Sequence, residues 1–78
     1  MKKTEYFDIA QRRRGRAAIR ESWITRVVAH PEHERKQPDG RFRRWARIEE
    51  ADGRWLRVIV LADGETVHNA FFDRGFKP

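Results

Sequence analysis

Three Asp-Gly pairs, Asp39-Gly40, Asp52-Gly53 and Asp63-Gly64, cut the second half of this chain into pieces of strand length. Such pairs supply the positive φ that tight hairpins need, and loops this short cannot carry a parallel crossover. Apolar residues alternate between the turns, so the spacing predicts an antiparallel meander. Its strands are a short polar one at about 33–37, then about 41–50, 54–62 and 65–72.

The period differs before Pro31. Thr4 can cap a helix over about 5–14 that places Tyr6, Ile9 and Ala10 on one side and meets a stop at Gly15. A second helix is read over about 18–29, where Ile19, Trp23 and Val27 recur every four residues beside Ile24 and Val28. Pro31 disfavours helical geometry at His30 and ends it. The fold class is therefore α+β: two N-terminal helices packed on one face of a four-stranded antiparallel β-meander, as one domain over 1–78. With 78 residues there is no room for a second core. Apolar and charged residues each make up 38%, so little hydrophobe is available, and marginal stability or support from a dimer or partner is expected.

Register follows from matching apolar residues across the turns, since a slip of one residue reverses the faces. A three-residue loop at 51–53 sets Ile48 opposite Leu56 and Ala46 opposite Val58. A two-residue loop at Asp63-Gly64 sets Val60 opposite Val67, Val58 opposite Asn69 and Leu56 opposite Phe71. The core face is then Phe42, Ala46, Ile48, Leu56, Val58, Val60, Val67 and Phe71. The other face gathers Arg43, Trp45, Arg47, Trp55, Arg57, Ile59 and His68, with Arg47 directly opposite Arg57. Like charges so placed destabilise a sheet unless an anion lies between them.

That face has two readings. In one, Arg43, Arg47 and Arg57 bind the phosphates of a nucleic acid while Trp45 stacks on a base. In the other, the C-terminal segment with Phe72 and Phe76 folds over Trp55 and Ile59 as a small second core, and the arginines are simply solvated. His68, one row from Arg57, is the candidate general acid or base for metal-independent RNA cleavage; a lone strand histidine also serves as an ordinary packing residue. The His30 to His33 H-x-x-H spacing has no clustered partner that would make a metal site, and no metal or cofactor is expected. Ser22, the only serine, sits mid-helix without a histidine in its motif, and no glycine-rich nucleotide loop is present.

Charge narrows the choice of partner. Eighteen Lys and Arg against twelve Asp and Glu give +6, and residues 1–30 hold eight of the bases with three of the acids. Arginine dominates, which suits planar recognition of phosphate or carboxylate. The run Gln11-Arg12-Arg13-Arg14-Gly15-Arg16 either meets an acidic partner or nucleic acid, or complements a helix C-terminus as a solvated end. RNA, the ribosome or an acidic protein is thus expected ahead of a membrane. The absence of cysteine removes disulfides and thiol chemistry and fits a reducing compartment. Met1-Lys2-Lys3-Thr4-Glu5 leads into no apolar run, and a cytoplasmic location without signal peptide is expected.

The order helix, helix, four-stranded meander, carrying Val28-Ala29-His30-Pro31-Glu32, Asp39-Gly40-Arg41-Phe42-Arg43-Arg44-Trp45, Leu56-Arg57-Val58-Ile59-Val60 and Asp63-Gly64-Glu65-Thr66-Val67, resembles small bacterial proteins related to the RelE/ParE/BrnT toxin superfamily. The resemblance spans roughly residues 5–74 through turn and strand signatures. It implies that the sheet face opposite the helices does the work, as mRNA cleavage in RelE-like members and gyrase inhibition in ParE-like ones; an acidic antitoxin-like protein stands beside RNA among the expected partners. No tyrosine stands in the C-terminal segment where some RelE-like nucleases use one, since Tyr6 is the only tyrosine.

Overall fold

The chain is seen in a computed structural model that describes residues 1–14 and 19–78. Two helices, α1 (Glu5–Arg13) and α2 (Glu21–Ala29), precede four strands, β1 (His33–Lys36), β2 (Phe42–Ile48), β3 (Arg54–Val60) and β4 (Val67–Phe72). The strands form one antiparallel sheet in the order β1-β2-β3-β4. Both helices cover the same face: α1 lies along β4, and α2 crosses β3 and β2. This is the expected α+β meander. The expected stop at Gly15, together with Arg16 and the expected start of the second helix at residue 18, lies outside the described residues.

Each helix has a local cause. The Thr4 hydroxyl accepts the Phe7 backbone N–H at 3.0 Å, and Glu5 and Asp8 at the start with Arg12 and Arg13 at the end complement the α1 dipole. The buried side of α1 is not the expected one. Phe7 is 5% exposed, whereas Tyr6 and Ile9 are 52% and 36% exposed. The i, i+3, i+4, i+7 set facing the sheet starts at Phe7, so it continues through Ala10, Gln11 and Arg14. In α2, Ile24 and Val27 are buried and Trp23 and Val28 pack against the same core. Helical geometry begins only at Glu21, because Arg20 is extended. Ile19, just ahead of that cap, still packs on the core, in the position of a hydrophobic staple to Ile24.

The sheet departs from the expected register twice. Residues Glu49–Ala51 form a 3-10 turn, so β2 ends at Ile48 and the connection to β3 is longer than three residues. Asp52 and Gly53 close it in left-handed conformations, φ +60° and +69°, which Asp and Gly tolerate best. The pairing slides by two residues, to Ala46 opposite Leu56 and Trp45 opposite Arg57. An even slide keeps the faces but changes the neighbours, so Arg47 lies opposite Trp55 and not opposite Arg57.

The second departure is an odd one. Val60 pairs with Val67 as expected, but a bulge follows, after which Ile59 pairs with Asn69, Val58 with Ala70 and Leu56 with Phe72. His68 is the extra residue. Ala70 and Phe72 consequently face the helices, while Asn69 and Phe71 move to the opposite face. The core is Phe7, Ile24, Val27, Ala46, Ile48, Ala51, Leu56, Val58, Val60, Val67 and Ala70. Phe71, expected there opposite Leu56, gives that place to Phe72, which packs against the core, and Ala70 takes the place opposite Val58 expected for Asn69.

The turn before β4 is pinned by one carboxylate. Asp63 accepts the backbone N–H of Glu65 and of Thr66, both at 2.9 Å, and the Thr66 hydroxyl at 2.5 Å, which lowers its pKa to about 2. On the helix side of β2 stands an arginine that the alternation placed in the core row. Arg44 donates to the Val28 carbonyl at 3.0 Å and the Gly64 carbonyl at 2.9 Å, and pairs with Glu34 at 2.5 Å. It thereby caps the C-terminal end of α2 and ties it to the β3–β4 turn. Replacing Arg44 by Met, which keeps the stem, should lower the unfolding free energy by about 1.5–3 kcal/mol, the range for hydrogen bonds to a charged group. Urea denaturation with an unchanged m-value measures it; no loss of stability would show that these bonds are absent in solution.

Candidate functional site

With the helices on one side, the opposite face can be read row by row from the pairing. One row holds Arg35, Arg43, Ile59 and Asn69; the next holds His33, Trp45, Arg57 and Phe71; a third holds Arg47 and Trp55. The four residues expected to bind nucleic acid, Arg43, Trp45, Arg47 and Arg57, therefore share the helix-free face. Arg35 and Arg43 are direct cross-strand partners. The sequence reading missed Arg35 because it assigned no register to the first hairpin; a three-residue loop at 38–40, the length read for 51–53, sets Arg35 opposite Arg43, whereas a two-residue Asp39-Gly40 loop would have set Lys36 there. Arg14, read in the sequence only as part of the basic run 11–16, also comes to this face. From the end of α1 that side chain reaches the Ala70 carbonyl and the Asn69 amide oxygen, with its guanidinium 5.3 Å from the Phe71 ring centre.

Trp45 has a different role from the one expected. It is 3% exposed, and Phe76 lies stacked on it with centroids 4.5 Å apart and planes 17° from parallel. The chain leaves β4 at Asp73, whose N–H bonds the Trp55 carbonyl at 2.8 Å, and crosses the end of the face. Asp73 then accepts the Trp45 indole N–H at 3.0 Å and lies 3.7 Å from Arg57. Phe76 also meets Trp55 at 4.9 Å and His33 at 5.4 Å. The indole of Trp45 is thus sealed beneath the C-terminal segment and cannot receive a base in this arrangement. Phe72, expected in the same cover, lies on the helix side, edge-on to Trp23 at 6.3 Å.

What stays open is an arginine surface. Among the described residues, Arg35, Arg43 and Arg47 make no ion pair. Arg43 is held by one neutral contact, Nε to the Gln37 side-chain oxygen at 2.9 Å. Arg57 is half-buried with its guanidinium 4.3 Å from the Phe71 ring centre, and its Nε is buried without a partner. Burial lowers its pKa, Asp73 opposes that and Arg43 adds to it, yet a guanidinium stays charged throughout. Like charges in register and a buried unsatisfied donor both leave free energy that an anion would recover.

His68 is not brought to this surface. The bulge turns its ring toward α1, where it stacks on Tyr6 with centroids 4.7 Å apart and lies 3.1 Å from the Thr4 hydroxyl. It makes no contact with Arg43, Arg47 or Arg57 among the described residues, so the pairing of an acid or base with phosphate-binding guanidiniums, expected from the register, is not formed. His33 points its ring at Trp55 and Phe76. No group of three or more His, Cys, Asp or Glu among the described residues could hold a metal ion. No helix of the described residues is long and apolar enough to cross a membrane.

Comparison of the chain with protein-family models, with curated proteins and with solved structures finds no match. The site must be read from its own geometry.

Two measurements check that geometry. Phe76→Ala should uncover Trp45 and Trp55 and shift tryptophan emission to longer wavelength with the far-UV circular dichroism unchanged; an unshifted spectrum would mean that the C-terminal segment does not lie on the indoles. Burial, and secondarily the charge of Arg41, lowers the His68 pKa below its usual value. The unfolded chain then takes up this proton first, so stability is full above about pH 6.5 and declines as the pH falls through that value. His68→Phe should remove this part of the pH dependence, as thermal melts across pH 5 to 8 would record.

Proposed function

We propose that this protein binds RNA through the helix-free face of its sheet, with Arg35, Arg43, Arg47 and Arg57 on phosphates. The observation that carries the reading is the unpaired row: Arg35 directly opposite Arg43, with no carboxylate on either and Arg57 diagonal to them. A sheet selected only for stability would set an acid there. The resemblance to the RelE/ParE/BrnT superfamily supports the same choice of face, and the overall charge of +6 favours a polyanion.

The proposal is of binding, not cleavage. His68 serves the α1 contact, and the guanidiniums alone would stabilise a phosphate without moving a proton. Trp45 does not stack on a base, since Phe76 occupies that place. Phosphate contacts then dominate, which makes affinity steeply salt-dependent and weakly sequence-dependent. An acidic antitoxin-like protein would meet the same arginines, and it should compete with RNA for them.

The triple variant Arg35→Ala, Arg43→Ala, Arg47→Ala should weaken binding of a single-stranded RNA and reduce the slope of log K against log salt by about 2, at about 0.7 per lost phosphate contact. Fluorescence anisotropy from low to moderate salt measures both, and an unchanged slope would remove the proposal. Arg35→Ala alone carries the converse signature. Relieving the like-charge pair should raise the melting temperature at low salt while RNA affinity falls, and a lowered melting temperature would show the pair to be structural.

A further inference from the structure

Where β3 begins and β4 ends, a cavity of about 280 Å³ opens between Arg54, Trp55, Phe72, Asp73 and Arg74. Its volume is at the small end of ligand sites, which run from about 300 Å³ upward, so it has room for one planar ring system and not for a base pair. Trp55 and Phe72 are half-buried and both line it, but the Phe72 ring is covered by the Arg54 guanidinium, so Trp55 is the apolar ring a ligand would meet. Arg54 and Arg74 are exposed, and neither makes an ion pair among the described residues. The Arg54 guanidinium lies 4.0 Å from the Phe72 ring centre and so offers its own plane as a stacking surface backed by an aromatic ring.

One acid lines the cavity, and its charge is already engaged. Asp73 accepts from the Trp45 indole, faces Arg57, and takes the Gly75 N–H at 3.1 Å. The free character of the cavity is therefore aromatic and cationic. A ligand that complements it carries a flat ring beside a negative charge. Trp55 is shared between the cavity and the arginine face, where the Arg47 guanidinium lies 5.3 Å from its ring centre.

We infer that this cavity receives one unpaired nucleobase of a single-stranded RNA, with the adjoining phosphate held by Arg54 and Arg74. The inference rests on the RNA-binding reading above and gives it a preference that the arginine face lacks. A flat basic surface binds the phosphates of single strands and duplexes alike, whereas a base can enter this cavity only when it is free of a partner strand. Stacking tolerates any base, so the preference is for strandedness and not for sequence.

The test uses the full chain, the double variant Arg54→Gln, Arg74→Ala, and three labelled ligands of equal length: single-stranded RNA, duplex RNA, and a sugar-phosphate strand without bases. Arg74 is exposed, and Arg54→Gln keeps a side-chain N–H in place of the Arg54 Nε that donates to the Ala51 carbonyl at 3.0 Å, so folding should be retained and is checked by circular dichroism and a thermal melt. The wild type should bind the single strand about tenfold more tightly than the strand without bases, as expected for one stacked base. The double variant should lose about that factor on the single strand, where the stacking plane of Arg54 and the phosphate contacts go together, and a clearly smaller factor on the other two, which lose phosphate contacts alone. Equal losses on all three ligands would reduce Arg54 and Arg74 to ordinary phosphate contacts and overturn the cavity assignment while the binding face stands. Failure of the wild type to bind any of the three would overturn both.

Discussion

One extra residue in β4 decides what each side of the sheet presents. Without the bulge between Ile59 and Val60, Phe71 would press into the core, and Ala70 and Phe72 would lie among the arginines. With it, small Ala70 lies under the helices and Phe71 becomes a platform for the guanidiniums of Arg14 and Arg57. The same residue count turns His68 outward, where Thr4 and Tyr6 meet it. Core, basic face and helix attachment are thus set by a single local irregularity, which is why bulges behave as designed features and not as defects.

Attachment of α1 also solves the problem of the β4 edge. An open strand edge invites pairing with other chains. Here Thr4 N–H bonds the Val67 carbonyl and Val67 N–H bonds the Lys2 carbonyl, both at 2.9 Å, while Gln11 and Arg14 reach the Ala70 carbonyl. The other edge, β1, is handled by composition. His-Glu-Arg-Lys is exposed at all four positions and short, so charge repels what a strand would otherwise recruit.

Sequence legibility tracked parity. Strand order, the three turns and the choice of face for Arg43, Trp45, Arg47 and Arg57 all follow from alternation, and an even slide in pairing left them unchanged. Anything dependent on an odd insertion was lost. The position of His68, and with it the idea of an acid or base beside Arg57, failed at the bulge, because Thr66 to Phe72 carries apolar residues in both parities and no glycine to announce the irregularity. Asn69 was the available signal: a polar amide in the expected core is more economically explained by one extra residue than by a buried hydrogen bond. The 3-10 turn was hidden for a related reason, since Glu49 and Glu50 look like polar strand positions before a turn, while Ala51 alone is buried.

The arginine-aromatic pattern on the helix-free face was read as two alternatives, and the structure divides them by location. At one end the C-terminal segment makes a small second core, with Phe76 inserted among Trp45, Trp55 and His33. Toward the Asp39-Gly40 turn, Arg35 and Arg43 remain without counter-charge. The division has an energetic logic. An indole left in water would cost more than a guanidinium left there, because a guanidinium is solvated readily and an apolar ring is not. Sealing the aromatic end lets a domain with few hydrophobes bury Trp45. It confines exposure to groups that water tolerates and that a phosphate can bind with little rearrangement.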